Sequence, residues 1–127
     1  LTSVPAAVSA AAAGTYTPTL TNGTNVSAST ANIAMYSRVG DVVSVNGTLL
    51  VTPTAAGFTQ IDISLPIAST VGGTNYVAGV AASISGTAGT SPARISAPPV
   101  QNRAMVYFYD DNGGSRLMSY QFSYVVI

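Results

Sequence analysis

The chain has no Cys, His, Trp, Lys or Glu, and its charge is confined to four Arg and four Asp in 127 residues. Most enzyme mechanisms draw a nucleophile, a general base or a metal ligand from those absent types. Without Cys there is no disulfide, no thiolate site and no zinc site of the usual Cys/His kind. Without His, Lys or Glu, the many Ser lack their usual activating base. The inventory argues against an enzyme and for binding, assembly or scaffolding, with no cofactor expected. Zero net charge and a pI near 6.1 leave no electrostatic footprint for nucleic acid or an anionic membrane. No apolar run approaches the ~20 residues that span a bilayer, so no membrane insertion is expected.

What is present points to one packed domain. Hydrophobic residues make up 47% of the chain and mean hydropathy is +0.40, too apolar for disorder. Residues 1–13 (LTSVPAAVSAAAA) carry no amphipathic stripe and are too short for a stable isolated helix. They read as an Ala-rich arm or linker, and a sharper expectation makes them an arm that orders on a neighbouring subunit. Residues 14–127 read as a single β domain.

Short alternating runs broken by Gly, Pro and Asn give that domain its all-β signature. Tyr16, Pro18 and Leu20 alternate with Thr, and Asn22-Gly23 suits a tight turn. Ile33, Met35 and Val39 alternate with Ala34, Tyr36 and Arg38, and Gly40-Asp41 reads as a hairpin tip. In the clearest strand, Val43, Val45, Leu49 and Val51 share one face. Gly47 within it predicts a bulge or a close backbone approach. Ile61, Ile63 and Leu65 face in while Asp62 and Ser64 face out. Tyr76, Ala78, Val80, Ala82 and Ile84 repeat the two-residue period, and a short run covers Ala93 to Ala97. A closing hairpin joins Arg103–Tyr109 to Arg116–Val126, with Met118, Tyr120, Phe122, Tyr124 and Val126 on one face. The expected fold is an antiparallel β-sandwich or jelly roll of about eight strands.

Asp110-Asp111-Asn112 is the one acidic cluster and the candidate ligand loop. It lacks the spacing of a calcium loop, and turn chemistry alone accounts for it. Asp41 and Asp62 could in principle pair with it as glycosidase carboxylates, but each reads as a solvated turn or outward strand residue. Catalytic and metal residues are therefore assigned to none. The run Arg103 to Tyr109 is apolar on both faces, so one face needs a cover. Met105, Tyr107 and Tyr109 are the candidate subunit interface. Cover by loops of the same chain is one alternative, and a Tyr-rich sugar-binding surface is a third use of the same side chains.

The segments Gly14–Asn22, Asn25–Thr30, Tyr36–Gly40 and Val43–Gly47, with Ile63–Ile67 and Ala104–Tyr109 further on, resemble a β-sandwich module of tailed-bacteriophage virion-surface proteins. That family includes head-decoration proteins and the C-terminal domains of tail fibres and spikes. The resemblance implies a β-sandwich on a virion surface, made in the host cytoplasm, and it carries no catalytic or receptor residues across. The resulting expectation is a non-enzymatic structural protein that associates with its own copies as a homotrimer. It would dock on the capsid shell as a decoration or cement protein, a role favoured by the short leader. The alternative is the glycan-binding, receptor-binding end of a tail fibre or spike. Partners are then its own copies, shell or tail proteins, and a host-surface glycan.

Overall fold

A computed structural model describes residues 12–84, 92–111 and 113–127. Those residues form ten strands and no helix: β1 (Ala12–Tyr16), β2 (Leu20–Asn22), β3 (Val26–Ala31), β4 (Ala34–Val39), β5 (Val42–Pro53), β6 (Gly57–Ser64), β7 (Val77–Ser83), β8 (Ala93–Ser96), β9 (Arg103–Asp110) and β10 (Arg116–Val125). Two are additional to the expected eight. The alternating segment around Pro18 is divided into β1 and β2, because proline has no N–H to give a ladder. β3 escapes notice because only Val26 among its residues is a large apolar one. β1 starts two residues before the expected boundary at Gly14, and the arm expectation for residues 1–11 lies outside the described residues.

All pairings are antiparallel, in the order β1-β4-β5-β10-β7-β8-β9-β6-β2, with β3 also on β5. The all-β antiparallel fold is thus present as one continuous curled sheet. The Gly40-Asp41 hairpin joins β4 and β5 as expected, with Val39 opposite Val42. Asn22-Gly23 does something else. Its neighbours β2 and β3 go to different partners, β6 and β5. The positive φ in this turn sits on Asn25, at 60°. The Asn25 amide nitrogen donates to the Ala55 carbonyl at 2.8 Å and to Thr59 Oγ1 at 3.0 Å, while its Oδ1 accepts from the Ala55 N–H at 3.1 Å. The turn therefore stitches β6 to the end of β5 and curls the sheet round its core.

The expected closing hairpin is also absent. β9 lies between β8 and β6, and β10 between β5 and β7. Each carries large side chains inward and so takes a central place with a neighbour on either side. On β10 the interior rings of Tyr120, Phe122 and Tyr124 stack in a ladder, with centroids 6.1 and 6.2 Å apart. Two glycines make room for it. Gly47 on β5 faces Tyr120, where a Cβ would lie 2.5 Å from the Tyr120 hydroxyl. Gly79 on β7 faces Phe122, where a Cβ would overlap the Gln121 carbonyl and lie 2.5 Å from Phe122 Cβ. Of the two readings of Gly47, the close approach is the one observed.

That demand for space sets which way β7 faces. Val77, Gly79 and Ala81 line the core, and Tyr76, Val80 and Ile84 point to solvent. A one-residue slip would drive Val80 into the place that only Gly79 fits. β4 behaves alike: Ala34 is buried and Tyr36 half-buried against Tyr16, while Ile33, Met35 and Val39 are exposed. On both strands the larger aliphatic set is outside.

Candidate functional site

Ladder pairings put Met35, Asn46, Gln121, Val80, Arg94, Tyr107 and Gln60 in one outward row across seven adjacent strands. The row divides the outer surface in two. Over β4, β5, β10 and β7 the outward residues are aliphatic, amide or hydroxyl: Met35, Val39 and Val42, then Asn46, Gln121 and Ser119, then Val80 and Ile84. Met35 is 64% exposed and Val80 66%. No charged side chain lies on the outward face of β5, β10 or β7, and a cleft of about 560 Å³ runs between Asn46, Val80, Ile84, Ser119 and Gln121. This is a neutral, partly apolar face with one shallow cleft.

Over β8, β9 and β6 the character changes. Phe58 sits opposite Tyr109 in the ladder and packs edge-on to it, with ring centroids 5.1 Å apart and planes at 82°. It also stacks on Tyr107 at 5.4 Å and 21°. The Arg94 guanidinium lies over the Tyr107 ring, 4.9 Å from its centroid, a cation–π contact. Phe58, Pro92, Arg94, Tyr107 and Tyr109 line an open cleft of about 380 Å³. The predicted interface residues Met105, Tyr107 and Tyr109 do all point outward on β9. Met105 and Tyr107 are half-buried by side chains of the same sheet, leaving Tyr109, with Phe58, as the exposed rings.

The carboxylates do not converge. Asp62 points outward, opposite Met105, and pairs with Arg103 at 3.5 Å. Burial raises its pKa, and hydrogen bonds from Arg103 and Gln60 with the Arg103 charge oppose that rise. Asp110 points the other way. It is fully buried, pairs with the buried Arg116 at 3.3 Å, and accepts the Gly113 N–H. Its expected place as a solvated loop residue is therefore corrected: it anchors the base of the loop from inside. Asp111 is exposed and Asn112 lies outside the described residues. Among the described residues no group of three or more acidic side chains is placed to hold a metal ion. Asp62 and Asp110 lie on opposite faces of the sheet, so no substrate can sit between them as a glycosidase requires.

Sequence reasoning missed Phe58 and Arg94. The signal for Phe58 was the outward phase of Asp62 and Ser64, which carried back along β6 puts Gln60 and Phe58 on the same face. Arg94 follows from Ile95 facing in. Comparison of the chain with protein-family models, curated proteins and solved structures finds no match to any of them.

Proposed function

We propose that this is a non-enzymatic structural domain of a virion surface that associates with its own copies, as a trimer, through the outer face of β4, β5, β10 and β7. The virion setting comes from the resemblance of the sequence motifs. The assembly role is carried by one observation: Met35, Val39, Val42, Val80 and Ile84 are exposed on neighbouring strands of one uncharged face.

Full burial of a large aliphatic side chain contributes about 1.5–3 kcal/mol, whereas association costs about 4–15 kcal/mol. One such residue cannot hold two chains together, but the set can. A second copy suits this face because a neutral surface meets its like without charge repulsion. Asn46, Gln121 and Ser119 can hydrogen-bond one another across the contact. The non-enzymatic reading is supported by the absent residue types and by Asp62 and Asp110 standing on opposite faces, each paired with an Arg. Sedimentation of the purified chain should give a trimer that Met35→Asp and Val80→Asp each dissociate. Labelled protein added to stripped particles should decorate their shell. A monomer at every concentration, with no binding to particles, contradicts the reading.

A further inference from the structure

We propose that the cleft between Phe58, Tyr109 and Arg94 binds a carboxylate-bearing sugar residue, a uronic or sialic acid unit of a glycan. The proposal gives residues and a ligand class to the sugar-binding expectation, and it does not rest on the assembly reading.

Three observations carry it. The first is Arg94. Arg38, Arg103 and Arg116 each have an Asp within 3.6, 3.5 and 3.3 Å. Arg94 has no acidic partner among the described residues, yet its guanidinium is held in place over Tyr107. A fixed cation without a counter-charge, in a chain that neutralises its other Arg, is a ready partner for a ligand carboxylate, which it can meet through two parallel hydrogen bonds. The second is the floor beside it. Phe58 is 57% and Tyr109 41% exposed, and the two rings stand nearly perpendicular, presenting a flat face and a wall. Aromatic faces carry partial negative charge, and the C–H groups on the face of a pyranose ring suit them. The third is size. A cleft of about 380 Å³ lies at the low end of small-ligand sites, which span roughly 300–1,000 Å³.

Nucleic acid does not fit this site. Backbone binding needs several cations along a track, and here Arg94 stands by itself, since the nearby Arg103 is committed to Asp62. An acidic sugar asks for one cation and one apolar ring face, and the cleft supplies both.

The test is amide-resolved NMR titration of the full chain with methyl β-D-glucuronide and with methyl β-D-glucoside, which differ only at the carboxylate carbon. The glucuronide should shift the resonances of Phe58, Arg94, Tyr107 and Tyr109. The glucoside should bind at least about tenfold more weakly. Arg94→Gln should reduce the glucuronide to the level of the glucoside, and Phe58→Ala should abolish both. Met35→Asp, four strands away from Arg94 in the same row, should leave sugar binding unchanged, so loss of assembly and loss of binding are read separately. Both Phe58 and Arg94 are exposed, and the spectra themselves report whether each variant is folded. Equal affinity for the two sugars, an unchanged Arg94→Gln variant, shifts confined to other strands, or no shift by tens of millimolar would each overturn the proposal.

Discussion

The outer surface changes character where β7 meets β8. On one side Met35, Asn46, Gln121 and Val80 follow one another without a charge. On the other Arg94, Tyr107 and Gln60 continue the same row with a cation and an aromatic ring. Both regions stand on the same interior of aliphatic and aromatic side chains, so the fold does not account for the difference. What differs is how each manages its apolar outward residues. Phe58, Tyr107 and Tyr109 cover one another within the chain, and Met35, Val80 and Ile84 do not. On the reading proposed above, the aromatic region serves a small ligand and the neutral region a copy of the protein.

The largest perturbations act on the interior that both regions share. Asp110→Asn removes the carboxylate that the buried Arg116 pairs with, a loss of about 3–5 kcal/mol where such a pair is broken. Asp110→Asn with Arg116→Met should recover part of it, since the buried cation is then gone. Gly79→Ala comes next, because it puts a Cβ into the Gln121 carbonyl and against Phe122. Overpacking costs about 1–3 kcal/mol, and here backbone rather than a flexible side-chain tip must yield. Urea denaturation should show a loss near the upper end of that range, with both faces lost together.

A third effect is pH-dependent and belongs to the buried phenols. Burial pushes the phenols of Tyr120 and Tyr124 up to about 12, from 10.0 in the unfolded chain, and raises Tyr16 further still. The folded form therefore holds protons that the unfolded form has released. Stability is unaffected below about pH 10 and falls as pH rises from there through 12. Tyr120→Phe should reduce that alkaline loss. Denaturation followed at several pH values above 9 would check both statements, and a flat profile would contradict them. The smallest effects fall on the outer faces. Met35→Asp and Arg94→Gln should each change monomer stability by no more than about 0.5 kcal/mol, as exposed substitutions do. Each should abolish the function of one face only.

Much of the interior was legible in the sequence. On β5 and β10 Leu50 and Leu117 interrupt the alternation, with Val42 and Val125 at the ends, but the rest of the outward set is Ser, Thr, Asn and Gln, so the phase is clear. Val43, Val45, Met118 and Phe122 lie where the pattern puts them. On β4 and β7 both alternating sets are apolar or small, and periodicity cannot choose between them. There the choice is made across the sheet, by a space opposite Phe122 that admits Gly79 and not Val80. Pairing partners were illegible for a related reason. Asn22-Gly23 and the Asp110–Ser115 loop have hairpin chemistry, but long-range contacts send the strands on either side to different neighbours. The aromatic site was half legible. The apolar run of β9 announced it, but Phe58 and Arg94 stand on β6 and β8 and meet Tyr107 and Tyr109 only through the ladder.

The absence of Cys makes the central claim directly measurable, because Val80→Cys introduces a single, exposed thiol on the β7 side of the neutral face. If that face joins copies of the chain, the thiol should react slowly with a labelling reagent in concentrated protein and rapidly on dilution, and oxidation should link subunits covalently. A thiol that reacts at one fast rate across all concentrations, and forms no linked species, would contradict it.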